Sequence, residues 1–275
     1  MRAASSENVS VTIHEFGGSG KPLLLSHATG FHGYCYLPIA DELTDRFETY
    51  GLDYRGHGDT ARPEDWQVDW IGYGDDAGAA TRTVAPNGGL TGFGHSMGGA
   101  ALLMAAHHDP NAFELLVLFE PIVFPPMAGG PDESSSPLVE GARRRRSSFD
   151  SFEAAINNYS SKPPMMVFDP DVLRLYVAHG FRTAPEGVRI KCDPEHEART
   201  FETAGAHQTW DLLPEIETPV VVVTGAVESN GPSRGAKAVA ERLTNGRYIE
   251  NPEWNHFTPF IDPTAMANVI AEAAG

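Results

Sequence analysis

The chain has 275 residues, 41% of them hydrophobic and 21% charged, a balance typical of a globular enzyme that buries one sizeable core. With 20 basic and 37 acidic residues, its formal net charge is −17 at pH 7. A charge of that sign repels phosphate backbones, so we expect no nucleic-acid partner.

The N-terminal segment Met1–Asn8 lacks the apolar core of a signal peptide. No apolar run approaches the roughly 18 residues that a membrane span needs. The two cysteines, Cys35 and Cys192, lie far apart in the sequence and form no C-x-x-C pair, which favours free thiols over a disulfide. We therefore expect a cytoplasmic protein without a membrane partner.

Short apolar runs alternate with helical segments along most of the chain. Val9–Phe16 alternates apolar and polar side chains, as in a half-exposed antiparallel strand. Later strands are predicted at Leu23–Leu25, Thr49–Asp53, Leu115–Phe119 and Val220–Thr224, and helices at Tyr34–Leu43, Trp66–Val84, Ala100–His108 and Pro263–Ala273. This order predicts an α/β fold with a mostly parallel, doubly wound sheet covered on both faces.

Residues 124–213 interrupt this alternation. Aromatic-rich helical pieces are predicted around Phe149–Tyr159 and Val172–Phe181, without any run typical of a buried strand. We interpret the segment as a helical cap inserted over the carboxyl edge of the sheet. The core domain is then formed by residues 1–123 and 214–275.

Four consecutive arginines, Arg143–Arg146, lie within this insertion. They could form an anion-binding or nucleic-acid site. The favoured interpretation is an exposed helix face in an acidic protein, with one or two arginines in salt bridges to the core.

The strongest functional signal is the run Gly94-His95-Ser96-Met97-Gly98-Gly99, which lies between a predicted strand and a predicted helix. In this context G-x-S-x-G forms a sharp turn that exposes a nucleophilic serine. The residues two positions away on each side must be small, and the following helix directs its amide dipoles at developing negative charge. Ser96 is thus the predicted nucleophile, and His95 is predicted to lie beneath it or against the cap as a pocket residue.

With this motif the chain resembles the α/β-hydrolase family over nearly its whole length. Leu25–Phe31 is similar to the family's H-G-F-P-type oxyanion turn, with Ala28 in place of glycine and Thr29-Gly30 in place of Phe-Pro. The resemblance implies an oxyanion hole built from the amide of Met97 and the amide of Thr29, with that of Gly30 as the alternative.

The same resemblance indicates the other two members of a catalytic triad. Trp254–Pro259 is similar to the family's G-H-F segment, so His256 is the predicted general base. Two glutamates compete for the acid that orients the imidazole. Glu228 matches a G-x-x-D-x-x-x-P pattern with Glu for Asp, whereas Glu120 ends the strand where some members, including fungal zearalenone lactonases, carry their acid. Glu228 is narrowly preferred.

We expect a serine hydrolase that cleaves an ester or lactone of a small, fairly apolar molecule. Alternatives on the same fold are C–C bond hydrolysis, thioester hydrolysis, perhydrolysis and a ligand-binding receptor. No metal is expected, since H-E-x-x-H and clustered His/Cys spacings are absent, and no cofactor is expected. The oligomeric state is left open, a homodimer included. The predicted pocket residues are Phe31, Tyr34, His95, Phe124 and Tyr159.

Overall fold

A computed structural model describes residues 1–125, 136–228 and 231–275. The described strands are β1 (Arg2–Ala4), β2 (Ser10–Gly18), β3 (Lys21–Ser26), β4 (Phe47–Asp53), β5 (Leu90–His95), β6 (Phe113–Phe119), β7 (Ser148–Phe149), β8 (Phe181–Ala184), β9 (Gly187–Ile190), β10 (Val220–Thr224) and β11 (Gly246–Glu250). Eight of them form one sheet in the order β1-β2-β4-β3-β5-β6-β10-β11. In this sheet β2 pairs antiparallel with β1 and with β4, and all the other neighbouring strands pair parallel.

The described helices either cover this sheet or belong to the segment between β6 and β10. They are α1 (Leu37–Asp41), α2 (Trp70–Val84), α3 (Met97–His108), α4 (Pro137–Arg143), α5 (Phe152–Ser160), α6 (Pro170–Gly180), α7 (Pro194–Glu202), α8 (Thr209–Leu212), α9 (Ser233–Arg242), α10 (Thr258–Ile261) and α11 (Pro263–Ala274). The last helix begins as its sequence predicts, because the Asp262 carboxylate accepts a hydrogen bond from the Ala265 amide at 2.9 Å.

The two faces of the sheet bury different helices. In β10, Val220 and Val222 pack in the same cluster as α2, α3 and α9, whereas Val221 and Val223 pack with α1 and α11. Side chains alternate between faces along a strand, so a strand covered on both sides must be apolar throughout. The predicted α/β fold with a mostly parallel, doubly wound sheet is confirmed.

The segment between β6 and β10 is not purely helical. Besides α4 to α8 it contains a three-stranded antiparallel sheet in the order β7-β9-β8. These strands have two to four residues each, too short to produce a period-two pattern in the sequence. Residues 126–135, where the predicted insertion begins, lie outside the described residues.

Two further expectations concern the chain as a whole. Cys35 and Cys192 are both buried free thiols, as predicted. Within the described ranges no helix is both long and apolar enough to cross a membrane.

Burial holds several histidines in the neutral form. It lowers the pKa of each by removing water from the imidazolium, in the case of His57 to about 4. In the unfolded chain a histidine binds a proton below about pH 6.5, so in acid the unfolded state binds more protons than the folded state. The stability that follows from this difference is complete above pH 6.5 and is lost as the pH falls. The six most strongly buried of these side chains are His27, His32, His57, His95, His196 and His207.

We predict that the free energy of unfolding falls between about pH 6.5 and pH 4, by up to about 1.4 kcal/mol per pH unit for each histidine. Denaturant unfolding at several pH values measures this slope. His57→Gln should reduce the slope by the contribution of about one bound proton. His108→Gln, at an exposed position, should leave the slope unchanged. Equal slopes for all three proteins would contradict the explanation.

Candidate active site

Ser96 occupies a strained turn between β5 and α3. Its backbone has φ 57°, a left-handed conformation that non-glycine residues rarely adopt. A side chain at Gly98 would collide with the backbone of Ser26, and a Cβ at Gly94 would lie 2.6 Å from the Cα of Gly99. The two glycines therefore allow the close approach of backbone that brings Ser96 to the carboxyl edge of the sheet.

Backbone hydrogen bonds hold this turn in place. The Ser96 amide donates to the Phe119 carbonyl at 3.0 Å, and the Ser96 carbonyl accepts from the amides of Gly99 and Ile122 at 3.0 and 3.1 Å. The Ser96 hydroxyl has no hydrogen-bond partner among the described residues, and the side chain is 6% exposed. Such a hydroxyl is available to a reacting group.

Glu120 follows the neighbouring strand β6 and contacts the predicted base. Nδ1–H of His256 donates to Oε2 of Glu120 at 2.7 Å. The other oxygen, Oε1, accepts from the Gly225 amide and the Thr224 hydroxyl, both at 2.9 Å. The Glu120 carboxylate therefore orients the imidazole and is itself fixed from the end of β10.

This arrangement keeps Glu120 ionised. Burial alone would raise the pKa of its carboxyl. The hydrogen bond and charge of His256 and the hydrogen bonds from Gly225 and Thr224 outweigh burial and hold the pKa below its ordinary value. Glu120 is 1% exposed, so the ionised form depends on these donors rather than on water.

The geometry favours Glu120 over Glu228, the acid that the sequence narrowly preferred. Glu228 is exposed, and its backbone amide donates to Oγ of Ser233, the first residue of α9, at 3.1 Å. The chain after β10 turns away at Ala226, whose amide donates to the Trp254 carbonyl at 2.8 Å. Among the described residues only Glu120 meets Nδ1 of His256.

A buried hydrogen-bond chain connects the His256 segment to the turn that contains Thr29. Nε2–H of His95 donates to the His256 carbonyl at 2.9 Å, because a carbonyl can only accept. Nδ1 of His95 is then the acceptor for the Tyr36 hydroxyl at 2.9 Å, and the Tyr36 oxygen accepts from the Ala28 amide at 3.1 Å. His95 is fully buried, and burial lowers its pKa well below the ordinary value, with the nearby charge of His256 acting in the same direction. It thus occupies this chain rather than an open pocket wall.

Thr29 and Gly30 are the central residues of a tight turn closed by the hydrogen bond from the Phe31 amide to the Ala28 carbonyl, 3.1 Å long. Neither central amide is used by that bond, and the φ of +80° at Gly30 is one that favours glycine. Met97 is the first residue of α3, where an amide has no acceptor within the helix. The amides of the three predicted oxyanion donors, Thr29, Gly30 and Met97, are therefore not used in the hydrogen bonds of the helix or the turn.

The predicted pocket residues separate into two groups. The Phe31 ring stacks on Phe260 with centroids 4.3 Å apart and also contacts Tyr176 of α6. Tyr159 of α5 packs edge-on against the same Tyr176. Tyr34 instead stacks on His179. Its other described aromatic contacts are with His14 and Phe16, and not with His256.

Phe124 also lies apart from Phe31. It is half-buried, and its ring approaches α9 at Gly235, where a Cβ would lie 3.7 Å from it. This contact is with α9, a helix that covers the sheet.

One group of potential metal ligands occurs among the described residues, namely His14, Asp53 and Asp59. Nε2 of His14 lies 2.8 Å from the Asp53 carboxylate, which also accepts from the amides of Gly33 and Asp59. The Asp59 carboxylate pairs with Lys191 at 2.6 Å. Nε2 of His14, both Asp53 oxygens and Oδ1 of Asp59 therefore have protein partners.

The fold and the Ser96 turn define a hydrolase of the α/β type. A model of the alpha/beta hydrolase family matches residues 23–269, and the chain belongs to that family.

Individual relatives agree with this assignment. At 26% identity over 257 residues the chain is similar to a 2-(acetamidomethylene)succinate hydrolase of Mesorhizobium japonicum, across 92% of this chain and 87% of the relative. The crystal structure of E-2-(acetamidomethylene)succinate hydrolase superposes with a TM-score of 0.83 at 22% identity, covering 100% and 98% of the two chains. An enol-lactonase from Burkholderia xenovorans superposes with a TM-score of 0.72 at 18% identity, covering 100% and 99%. The structural likenesses establish the fold.

We predict that Tyr36→Phe lowers kcat for hydrolysis of a p-nitrophenyl ester about tenfold, because the Ala28 amide and Nδ1 of His95 both lose their buried partner. KM should change little, since the hydroxyl is buried and both of its hydrogen bonds are made within the protein. Tyr34→Phe, two residues earlier and half-buried, is the matched control and should retain kcat. A folded Tyr36→Phe protein with unchanged kcat would contradict the prediction.

Proposed function

We propose that this protein is a serine hydrolase that cleaves a carboxylic ester or lactone of a small molecule through a triad of Ser96, His256 and Glu120. The proposal rests above all on the hydrogen bond from Nδ1 of His256 to Glu120, 2.7 Å long. That bond leaves Nε2 of His256 as the nitrogen that can take a proton. Ser96 is tied to Phe119, the residue before Glu120, and occupies the strained turn that a nucleophile requires.

The reaction follows from these groups. Oγ of Ser96 attacks the carbonyl carbon while Nε2 of His256 removes the hydroxyl proton. The Met97 amide, with the amide of Thr29 or Gly30, binds the oxygen of the tetrahedral intermediate. His256 then protonates the leaving alkoxide. A water molecule deprotonated by His256 releases the acid from the acyl-enzyme, and Glu120 stabilises the imidazolium in both halves of the reaction.

Ester or lactone cleavage is favoured by the family and by the enol-lactonase that shares the fold across the full length of both chains. A second candidate is hydrolysis of an acetamido-substituted acid. It is supported by the relative named for 2-(acetamidomethylene)succinate, which matches 92% of this chain. Both reactions begin with attack of Ser96 on an acyl carbon, so the triad serves either one.

We further propose that residues 124–213 act as a cap over this site. The amide of Asp169 donates to the Phe260 carbonyl at 2.8 Å, next to the His256 segment. Tyr176 packs on Phe31, and Oε1 of Glu197 lies close to Gly30, the residue before Phe31. Three separate points of the segment therefore contact the loops around Ser96, as a cover that excludes water would.

We predict that Ser96→Ala lowers kcat by several orders of magnitude and leaves the fold intact, because triad members act as a unit. The measurement is the burst and steady-state release of p-nitrophenol from short-chain esters, with circular dichroism to check folding. A well-purified Ser96→Ala protein that still releases p-nitrophenol at the original rate would exclude Ser96 as the nucleophile.

The two glutamates provide a matched pair for the acid. Glu120→Ala should lower kcat by about 10⁴-fold, since the imidazole loses its orienting carboxylate. Glu228→Ala removes an exposed side chain of the same type and should retain nearly full kcat. Loss of activity in Glu228→Ala with retention in Glu120→Ala would overturn the proposed triad.

A further inference from the structure

A buried ion pair lies in the insertion, on the side that faces the Thr29-Gly30 turn. Arg145, just after α4, approaches Oε1 of Glu197 in α7 at 2.8 Å. The Arg145 guanidinium also donates to the Tyr176 hydroxyl at 3.0 Å. The Glu197 side chain is 2% exposed and that of Arg145 is 21% exposed, so this pair is held largely away from water.

The pair contacts the turn that carries the proposed oxyanion donors. A Cβ placed on Gly30 would lie 2.6 Å from Oε1 of Glu197 and 3.6 Å from the Arg145 guanidinium. Gly30 directly follows Thr29, so the ion pair lies next to the turn whose amides are the proposed oxyanion donors. A carbonyl oxygen bound by these amides would bring the acyl part of the substrate toward the pair.

One oxygen of the pair has no partner. Oε2 of Glu197 is buried and accepts no hydrogen bond within the described parts of the chain. Burial raises the pKa of the Glu197 carboxyl, and the charge of Arg145 opposes that shift. An unsatisfied buried carboxylate oxygen is costly, and a carboxylate can only accept, so its missing partner must be a hydrogen-bond donor.

The Tyr159 hydroxyl adds a second polar atom to this cluster. It faces the Tyr176 hydroxyl without reaching good hydrogen-bond geometry. A hydroxyl can both donate and accept. The cluster therefore suits a ligand group that offers a donor to Glu197 and leaves an acceptor for Tyr159.

Charge decides which ligand group fits. The positive charge of Arg145 is cancelled by Glu197, so the cluster offers no net positive charge to an acid. The free oxygen of Glu197 would repel a carboxylate directly, and the net charge of −17 on the whole chain disfavours the approach of anions. A neutral hydroxyl or amide N–H meets neither obstacle.

We infer that the substrate is an uncharged acyl compound with a hydroxyl or amide N–H near its scissile carbonyl, held by Oε2 of Glu197, which Arg145 keeps in place. This inference rests on the proposed function, since it names the substrate class for the same site. It sets the protein apart from a relative named for a succinate derivative.

A series of methyl esters with matched acyl groups tests the inference. The members are methyl butanoate, its derivatives hydroxylated at carbon 2, 3 or 4, and monomethyl succinate. The best hydroxylated ester should exceed methyl butanoate in kcat/KM by about tenfold or more, the effect expected of a hydrogen bond to a charged group. Monomethyl succinate should be the poorest substrate.

Substitutions at Glu197 separate hydrogen bonding from charge. Glu197→Gln releases the charge of Arg145, so the preference for the hydroxyl should fall and monomethyl succinate should improve relative to methyl butanoate. Glu197→Asp keeps the charge but withdraws the oxygen, so the hydroxyl preference should fall while monomethyl succinate stays poor. Glu195→Gln, exposed on the same helix, is the control and should leave both ratios unchanged.

Ratios between substrates measured on one protein are unaffected by partial loss of folded enzyme. A wild-type enzyme that cleaves these esters without preferring any hydroxylated member overturns the inference while the proposed function stands; the free oxygen then binds only water. Failure to cleave any ester overturns the proposed function and the inference with it. If Glu197→Gln does not fold, Glu197→Asp alone must abolish the hydroxyl preference. An unchanged preference in Glu197→Asp would overturn the inference in the same way.

Discussion

The Glu120 carboxylate joins three segments that are distant in the sequence. It extends from the end of β6, accepts hydrogen bonds from Thr224 and Gly225 at the end of β10, and accepts a third from His256. Because β6 and β10 are parallel neighbours, their carboxyl ends meet at one edge of the sheet. Without this carboxylate the imidazole has no fixed orientation, and the end of β10 has two unsatisfied buried donors.

Backbone strain is concentrated at this edge. Ser96 and Glu120 both have positive φ, 57° and 46°, directly after neighbouring strands. Strain of this kind costs about 1–3 kcal/mol per residue and persists only where the surroundings fix the backbone. The surroundings here are a sheet whose central strands are buried on both faces. The amides of both residues are tied to it, that of Ser96 by Phe119 and that of Glu120 by Val223.

The sequence was sufficient for the fold and for the position of Ser96, because both depend on local patterns. Buried strands appear as apolar runs, and the glycines around Ser96 are required by contacts within the turn itself. The acid was different. Glu228 matched a spacing pattern that follows β10. The carboxylate that contacts His256 instead belongs to Glu120, which follows the adjacent strand β6 and lies 136 residues before His256 in the sequence.

Other features also escaped the sequence because they depend on contacts between distant segments. Tyr36 and His95 are 59 residues apart, and neither stands out by type or spacing. The insertion's short strands bury too few residues to form a pattern. One or two of the four arginines were expected to form salt bridges to the core. Arg145 pairs instead with Glu197 inside the insertion, a partner that only the packing of α7 against the end of α4 identifies.

Three buried polar arrangements surround Ser96, and they differ in how fully their hydrogen bonds are satisfied. Glu120 is charged and receives three donors. His95 is neutral, and both of its nitrogens are paired, so it can connect loops without adding charge beside His256. Only the Arg145–Glu197 pair retains a buried acceptor without a donor. Satisfied networks give the site its rigidity, since any movement breaks a bond. A bound molecule could complete the one unsatisfied acceptor, and this difference is the physical basis for proposing a role for it in substrate selection.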